Sequence, residues 1–362
     1  MNEATLSFLR LAYKEYYFRR ADSIEFPDEI QSREFGYIPF GGRMIRHLSF
    51  KSPGEAVAEI VRQTPSSVYC SNARYESPSL PMEEKGWKGA ELIFDIDATD
   101  IPTPCKKGHD LWFCVSCHST GKLPKPAKCQ KCGGPTEDFH GTCEVCLGAS
   151  KDHTTRVADL LTDDFGVSKD KIRFYFSGNR GFHIHILDQR FHLLDQQGRA
   201  EISGYVRGDS LPALPTLASV VRRMPAGAAA QSLGWTKRIV SYVEPRKAAS
   251  SGTIQKLVSE AVSSNRALVD AAVTTDIHRV FRLAGTLHGT TGMCKLRLKS
   301  LESLDPGGDA VVLSSEPVKV KVGFFPRFSL KGITYGPYKD ETASVPGFAA
   351  VAILTKGLGE VA

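Results

Sequence analysis

The cysteines of this chain are concentrated in one short segment, and their spacing constrains the local fold more than any other feature. Seven of the nine cysteines lie between Cys105 and Cys146, mostly as Cys-x-x-Cys pairs. That spacing is typical of metal ligands, whereas the disulfide framework of a secreted domain is spread over the domain. Bound metal stabilises a small module that cannot build its own core. We therefore expect a zinc-binding module at residues 105–146 and a reducing compartment.

The candidate ligands suffice for two closed sites of four ligands each. One set forms the knuckles of a zinc ribbon over residues 114–132: Cys114, Cys117, Cys129 and Cys132. The other set flanks it: Cys105, His109, Cys143 and Cys146. We prefer this nested arrangement; a sequential split after Cys117 and unliganded buried cysteines are the alternatives. Spare candidate ligands are His118, His140 and His153. No open position is evident, so both sites are predicted to be structural.

The remaining composition is that of an ordinary soluble protein. The 362 residues, 41% of them hydrophobic, are enough for a large catalytic domain with insertions. No apolar run approaches the ~18 residues that a membrane helix needs. Residues 1–20 alternate apolar and charged side chains at helical spacing, so we expect a first helix, no signal peptide and a cytoplasmic location. The net charge of +6 fits a polyanionic partner, but only weakly.

Residues 92–97, Leu-Ile-Phe-Asp-Ile-Asp, show the alternation of a strand. The period of two sends Leu92, Phe94 and Ile96 to one face and both carboxylates, Asp95 and Asp97, to the other. Two like charges this close repel each other unless a cation lies between them, which is how paired Mg²⁺ or Mn²⁺ ions are held. A strand end at which one aspartate caps the next turn is the alternative.

A second segment, residues 171–187, is predicted to be a β-hairpin with a functional tip. Strands at 171–176 and 182–187 flank the tight turn Ser177-Gly-Asn-Arg-Gly181. The hydroxyl of Ser177, the turn amides and Arg180 could surround a phosphate. His183 and His185 lie two residues apart on one face, so one of them could reach the same anion, while the other could be a satisfied core histidine.

The third segment runs from a helical stretch, residues 252–270, to the glycine-rich residues 289–292. Asp270 or Asp276 could supply a third carboxylate, and Arg282 and His288 could bind phosphate oxygens. Glycines at its end suit a loop whose backbone approaches a ligand. A surface loop without a ligand is the alternative.

Taken in order, these motifs resemble the catalytic small subunit of the archaeal and eukaryotic type of DNA primase, most closely the archaeal branch. The motifs are Phe94-Asp-Ile-Asp97, Ser177-Gly-x-Arg-Gly-x-His183 and Arg282-Leu-x-Gly-Thr-Leu-His288-Gly-x-Thr-Gly292. Segments 33–37 and 44–50 also resemble the early strands of that family. The resemblance extends over roughly residues 30–300.

The resemblance implies a role for individual residues. Asp95, Asp97 and Asp270 would be the carboxylates of a two-metal Mg²⁺ or Mn²⁺ site, with Asp276 as the alternative to Asp270. The incoming nucleotide's phosphates would be bound by Arg46, Ser177, Arg180, His183, Arg282 and His288. The single zinc site of the family would correspond to the flanking set, whereas the ribbon at 114–132 departs from the family's pattern, as does Asn179.

The fold implied by the family is α/β of the α+β kind, the prim-pol fold of archaeo-eukaryotic primases, with mixed sheets. The catalytic domain would comprise residues 1–104, 147–189 and 261–345. The zinc-binding module would occupy 105–146, a variable helical insertion 190–260, and an unassigned tail 346–362.

The activity implied is that of the catalytic subunit of DNA primase, a nucleotidyltransferase with DNA-directed RNA polymerase activity. It would use nucleoside triphosphates to make short primers on a single-stranded DNA template during DNA replication. The expected partner is the family's large, iron–sulfur-bearing subunit, in a heterodimer located in the archaeal cytosol and at the nucleoid. One alternative is a primase-polymerase or end-joining polymerase of the same superfamily. Another is a non-catalytic zinc-ribbon subunit that binds nucleic acid.

Overall fold

The computed structural model of the chain describes residues 1–244 and 250–362. Its helices in chain order are α1 (Glu3–Arg19), α2 (Pro53–Gln63), α3 (Lys106–His109), α4 (Glu144–Phe165), α5 (Gln196–Arg207), α6 (Leu214–Arg223), α7 (Ala228–Gln231), α8 (Gly234–Val243), α9 (Ser251–Asn265), α10 (Ala271–Thr275), α11 (Pro306–Asp309) and α12 (Gly347–Leu354). No helix among these residues is both long and apolar enough to span a bilayer.

The strands lie mainly in three sheets. In chain order they are β1 (Phe35–Ile38), β2 (Ile45–Leu48), β3 (Ser67–Ser71), β4 (Ala73–Tyr75), β5 (Trp87–Ala90), β6 (Leu92–Asp97), β7 (Leu111–Cys114), β8 (Thr120–Gly121), β9 (Thr136–Phe139), β10 (Ile172–Phe176), β11 (Gly181–Ile186), β12 (Val280–Arg282), β13 (Leu296–Leu298), β14 (Pro317–Phe325), β15 (Phe328–Leu330), β16 (Ile333–Tyr335), β17 (Tyr338–Pro346) and β18 (Gly359–Val361).

Two four-stranded sheets carry the sequence motifs. The first has the order β12-β3-β1-β2 and the second the order β13-β10-β11-β6. A third sheet, β17-β14-β18, contains the C-terminal strands, and β8-β7-β9 forms the centre of the cysteine-rich module. The predicted α/β class of the α+β kind is confirmed. Every strand pair within the described ranges is antiparallel, so the sheets combine with helices but do not mix strand directions.

The alternation in residues 92–97 produces the predicted two-faced strand. Leu92, Phe94 and Ile96 are fully buried in one hydrophobic cluster with α4 and α5, which cover that face of the second sheet. The other face carries the two aspartates. The hairpin at 171–187 also forms as predicted, with Ile172 paired to Ile186 and Phe176 paired to Phe182.

Helices dominate the region between residues 196 and 265. There α6, α8 and α9 bury their own apolar cluster around Trp235, Ile239 and Val258, whereas α5 packs on the second sheet. This separate cluster gives the three helices an apolar core of their own. The last of these helices, α9, ends at Asn265, so the helical stretch stops short of Asp270. Residues 245–249 of the predicted insertion lie outside the described residues.

The tail, which the sequence left unassigned, is part of the main core. All eight residues of α12 are buried, and Ile353 and Leu354 share a cluster with Leu9 and Tyr13 of α1. Strand β18 pairs with β14, and the backbone N of Val361 donates to Thr5 Oγ1 at 2.9 Å. The two ends of the chain therefore close one hydrophobic core together.

Candidate active site

The second sheet places Asp95 and Asp97, which we call the acid pair, beside the hairpin. In the pairing of β6 with β11, Asp95 lies opposite His183 and Asp97 lies opposite Gly181. His183 Nε2 is 3.5 Å from Asp95 Oδ1, and Arg180 Nε is 3.7 Å from Asp97 Oδ1. The register thus fixes one basic side chain next to each carboxylate.

A third carboxylate joins this pair from the N-terminus of α10. The backbone N of Asp270 donates to the carbonyl of Asp95 at 3.0 Å, and its side chain caps α10 by accepting from Val273 N. Burial, together with the charges of Asp97 and Asp270, raises the pKa of Asp95 to about 7. Burial and like charge both disfavour the ionised carboxyl, which explains that direction.

The alternative third carboxylate, Asp276, lies elsewhere. It accepts from the backbone N of His278, beside a group that includes Tyr75 and Arg46. The structure thus brings Asp270, rather than Asp276, to the acid pair. Sequence spacing alone left the two open because both follow α9 within a short stretch of chain.

A basic group faces the acids from the two loops that the sequence singled out. The hydroxyl of Thr291 donates to the carbonyl of Gly178 at 2.6 Å, which ties the hairpin tip to the loop that carries His288. Ser177 Oγ accepts from the backbone N of Asn179. His288 Nδ1 accepts from Thr290 N at 3.2 Å, so the hydrogen of its neutral ring is on Nε2.

Arg282 completes this group from β12 in the first sheet. Its guanidinium donates to Ser67 Oγ at 2.9 Å and lies over the ring of Tyr69. Burial and the charges of Arg282, Lys356 and Arg180 hold the pKa of His288 well below its usual range. Four of the predicted phosphate ligands, Arg180, His183, Arg282 and His288, therefore surround one region beside the acids.

Sequence reasoning missed Lys295, which connects the two sheets. Its side chain is buried, with 1% exposed, and its Nζ lies 3.2 Å from His183 Nδ1 and 2.9 Å from the carbonyl of Arg282. Burial and the charge of Arg282 lower the pKa of Lys295 to about 7. An ammonium donating to Nδ1 leaves the ring hydrogen on Nε2, which faces Asp95. The motif at 282–292 ends three residues before this lysine, and nothing in the local pattern predicts that the lysine is buried between two sheets.

Lys356 was missed for a similar reason, because the tail had no assigned role. Residue Lys356 follows α12, and its Nζ lies 5.3 Å from the ring centroid of Phe139. The neighbouring carbonyl of His140 accepts from Arg180 Nη1 at 3.4 Å. The tail thus adds a cation to the basic group from a distant part of the chain.

Arg46 is held outside this group. It forms a bidentate ion pair with Glu34, with Nε 2.8 Å from Oε1 and Nη2 3.1 Å from Oε2. Glu34 is fully buried and also pairs with Lys85. The predicted role of Arg46 in phosphate binding stays a prediction, and the ion pair is a reason to doubt it because both carboxylate oxygens already engage the guanidinium.

His185, the second histidine of the hairpin, belongs to a buried network. Its Nδ1 lies 3.1 Å from Glu91 Oε2, and Arg33 donates to the other oxygen of the same carboxylate at 2.7 Å. Hydrogen bonds from His185 and the charge of Arg33 outweigh burial and lower the pKa of Glu91 to about 2. His185 is thus bound to Glu91 through Nδ1, whereas its buried Nε2 has no hydrogen-bond partner among the described residues.

The cysteine-rich module brings its ligands together in the nested arrangement. The ligand atoms of each set of four lie within 4.8 Å of one another. Sulfur–sulfur distances are 3.4 Å for Cys105–Cys146, 3.5 Å for Cys114–Cys132 and 3.7 Å for Cys117–Cys129. Zn–S bonds of about 2.3 Å place tetrahedral sulfurs about 3.8 Å apart, whereas a disulfide needs about 2.05 Å. Both sets therefore fit zinc.

Hydrogen bonds around the flanking set also fit a metal. His109 Nε2 lies 3.2 Å from Cys146 Sγ, and its Nδ1 lies 2.8 Å from Asp110 Oδ1. A carboxylate that accepts from the outer nitrogen is the usual support of a zinc-bound histidine. The spare histidines have other partners: His140 binds Asp110, His118 binds Asp340, and His153 accepts from Leu268 N.

Asp95, Asp97 and Asp270, which we call the acid trio, differ from the two cysteine sets in the spacing of their ligand atoms. Among the described residues, only the two Cys/His groups have all their ligand atoms within 4.8 Å of one another. The three carboxylates are adjacent but more open, as expected for a site that also admits substrate. Acids on one side and cations on the other suit divalent ions bridging to a polyphosphate.

Comparison with known proteins gives relatives over the whole chain. A family model described as DNA primase small subunit matches residues 135–300, which include the hairpin tip, Asp270 and His288. DNA primase small subunit PriS of Cenarchaeum symbiosum is 38% identical over 383 aligned positions, covering 100% of both chains. PriS of Nitrosopumilus maritimus is 36% identical with the same coverage. The polymerase domain of Mycobacterium tuberculosis ligase D, solved with DNA, aligns with 82% of this chain and 83% of its own at 12% identity, but its TM-score of 0.39 is too low to carry an argument.

Proposed function

The chain belongs to the DNA primase small subunit family, and from that membership we propose that it is the catalytic subunit of a DNA primase. It would synthesise short primers on single-stranded DNA for replication by two-metal nucleotidyl transfer. The observation that supports this most directly is the facing arrangement of acids and basic groups. Asp95 and Asp97 lie on β6, His183 lies on the neighbouring β11, and Arg180 lies in the turn just before β11.

The acid trio fits a pair of Mg²⁺ or Mn²⁺ ions. Asp95 and Asp97 project from one face of β6, and Asp270 joins them from the cap of α10. The raised pKa of Asp95, caused by burial and by the two other carboxylates, is the expected state of a cation site built from like charges. Oxygen ligands are those that these ions prefer.

The reaction would use the residues of the site to bind and orient. When bound, two divalent ions lower the pKa of the attacking 3′-hydroxyl and stabilise the charge of the departing pyrophosphate. Arg180, Arg282 and His288 would offset the charge of the triphosphate. The Nε2 hydrogen of His183 faces the same space and can donate to a phosphate oxygen. No side chain needs to act as a nucleophile.

We further propose that both Cys/His sets bind structural zinc. The flanking set lies next to the catalytic strand, since Lys106 donates to the carbonyl of Thr99 and Arg180 donates to that of His140. Zinc there would hold the segment that positions Arg180. The protein would act with the family's large subunit, a DNA template and nucleoside triphosphates, in the cytoplasm.

Incorporation of labelled nucleotides on unprimed single-stranded DNA tests this function, with Mg²⁺ or Mn²⁺ and with and without the large subunit. Wild type should give short products that vanish in Asp95→Ala, Asp97→Ala and Asp270→Ala. Asp276→Ala is the matched control and should retain synthesis, because Asp276 lies outside the trio.

The same assay separates the other readings. Synthesis only on a supplied primer, even with the large subunit, would indicate an extending polymerase of the same superfamily. If wild type and all variants are inactive in every condition, the protein is a binding subunit and the proposal fails.

A further inference from the structure

We propose that the zinc ribbon at 114–132 carries a binding site for the phosphate backbone of the single-stranded template. The site consists of four lysines, which we call the ribbon lysines: Lys122, Lys125, Lys128 and Lys131. The inference rests on the proposed function for the identity of its ligand, but it assigns a site outside the catalytic residues and outside the family's zinc set.

The first observation is the charge of the segment. Residues 111–136 contain the four ribbon lysines and no aspartate or glutamate. All four side chains are exposed. Lys125 lies 3.6 Å from Asp138 Oδ2, a loose and exposed pair. For the other three, no carboxylate lies within 4.0 Å in the part of the chain that the structure describes. Three lysines that have no carboxylate within 4.0 Å, together with the loosely paired Lys125, give this small module a local positive potential.

The second observation is that the ribbon is held in a fixed orientation. Phe113 of β7 stacks on Phe324 of β14 with centroids 6.0 Å apart, and Phe139 of β9 packs edge-on against Phe325 at 5.6 Å. His118, between the two knuckles, lies 2.9 Å from Asp340 Oδ1. Contacts on both sides make the ribbon a rigid extension of the third sheet, so its lysines are positioned before any ligand binds.

The third observation is continuity with the catalytic group. Strand β9 pairs with β7 of the ribbon and ends at Phe139, whose ring lies below the Lys356 ammonium. The next residue, His140, accepts from Arg180, which faces Asp97. Arg180 and Lys356 thus both lie at the end of β9, the strand that pairs with β7 of the cysteine-rich module. A polyanion leaving the active site would pass this end of the module.

A different explanation assigns the lysines to the metal. A zinc ion with four thiolates carries a net charge of −2, and nearby cations would stabilise it. That role predicts that neutralising the lysines releases zinc. A third explanation, an acidic protein partner, predicts that DNA affinity is independent of them. Template binding is favoured because the lysines are exposed and belong to the module whose strand β9 leads to His140, the acceptor from Arg180.

The test compares two charge-matched variants of the full-length chain. In the ribbon variant, the four lysines become glutamine: Lys122→Gln, Lys125→Gln, Lys128→Gln and Lys131→Gln. In the control variant, four exposed lysines elsewhere are changed: Lys14→Gln, Lys51→Gln, Lys237→Gln and Lys256→Gln. Binding to labelled single-stranded DNA is measured by fluorescence anisotropy over a series of salt concentrations, without nucleotide, and zinc is quantified in each protein.

We expect the ribbon variant to bind about 10-fold or more weakly at low salt. Its log–log salt slope should be shallower by about three, since each of the four phosphate contacts to single-stranded DNA contributes about 0.7. Both variants should keep wild-type zinc. A third variant with the four lysines changed to arginine should retain wild-type affinity, because it retains the charge.

Three results would overturn the proposal: equal weakening in the ribbon and control variants, loss of zinc from the ribbon variant, or unchanged affinity. Failure of the arginine variant to bind would also overturn it, because the effect would then be structural. The binding measurement does not depend on polymerisation, so an inactive wild type would contradict the proposed function without deciding this site.

Discussion

At the scale of single residues, burial shifts the pKa values of Asp95, His183 and Lys295 toward their neutral forms. His183 lies between Asp95 and Lys295, with its two ring nitrogens 3.5 Å and 3.2 Å from them. Burial and the charge of Lys295 hold the pKa of His183 well below its usual range, so the ring is neutral and can donate only from Nε2. Lys295 therefore fixes which ring nitrogen of His183 carries the hydrogen and faces Asp95.

Substitution of Lys295 by methionine separates positioning from stability. Lys295→Met should raise the KM for nucleotide about 10-fold, because His183 loses the hydrogen bond that sets its tautomer, worth about 1.4 kcal/mol. Stability to urea should change little, since two lost hydrogen bonds are offset by removal of a buried charge. Steady-state kinetics and urea unfolding check both parts. Lys299→Met, at an exposed side chain, is the control, and a normal KM with a destabilised fold would contradict the assignment.

The residues that the sequence predicted at this scale are those within dense motifs. Asp95, Asp97, Arg180 and His288 come together because alternation and turn chemistry fix their local geometry. Lys295 could not be found in this way, since its role depends on two sheets meeting. Arg46 lies in a motif, but its buried partner Glu34 is also distant in sequence, and only tertiary structure shows their ion pair.

At the scale of elements, the catalytic geometry depends on how closely β11 approaches β6. Gly181 begins β11 opposite Asp97, and a Cβ at this position would lie 2.0 Å from the carbonyl oxygen of Ile96. Backbone on the facing strand cannot move away as a flexible side chain can. A glycine is therefore required for Arg180 and Asp97 to approach each other.

Substitution of this glycine should damage both fold and activity. Gly181→Ala should cost about 2–3 kcal/mol of stability through the clash, and it should reduce incorporation about 100-fold or more by displacing Arg180. Gly148→Ala is the matched control, because an added Cβ on α4 meets nothing within 4 Å and alanine favours a helix. Thermal unfolding and primer synthesis measure the pair. Similar behaviour of the two variants would contradict the requirement.

Elements were predictable where periodicity or ligand spacing was strong. The strand at 92–97, the hairpin and the nested ribbon followed from patterns within a few residues. The extent of α4 did not follow from the sequence, because its first turns, from Glu144, carry candidate zinc ligands and no apolar stripe. The place of the tail in the core was not predictable either, since α12 is apolar on every side and has no amphipathic period. A helix of that kind is recognised only when the elements around it are known.

At the scale of the whole molecule, the acid site opposes folding. A carboxylate whose folded pKa exceeds its unfolded value binds its proton more tightly in the folded state, so stability falls as pH rises between the two values. The pKa of Asp95 is about 7 in the folded state, because of burial and neighbouring carboxylates, and about 3.9 in the unfolded chain. Without divalent ions, the molecule is thus destabilised by its own active site at neutral pH.

Removal of this charge should flatten part of the pH dependence of stability. When the pH rises from 5.5 to 7.5 without added Mg²⁺ or Mn²⁺, the wild type should lose about 2 kcal/mol of its free energy of unfolding through Asp95. Asp95→Asn should not show this loss. Urea unfolding at both pH values measures the difference, and Asp22→Asn, at an exposed side chain, controls for charge alone. Parallel behaviour of wild type and Asp95→Asn over this range would contradict the argument.

The closure of one core by both ends of the chain has a consequence for synthesis on the ribosome. Leu9 and Tyr13 of α1 pack in the cluster that includes Ile353 and Leu354, so α1 has no complete binding surface until α12 has emerged. Contacts that span nearly the whole sequence form late and slowly. The amphipathic first helix should therefore remain accessible to chaperones during most of translation, while the helical cluster around Trp235 can already assemble from neighbouring segments.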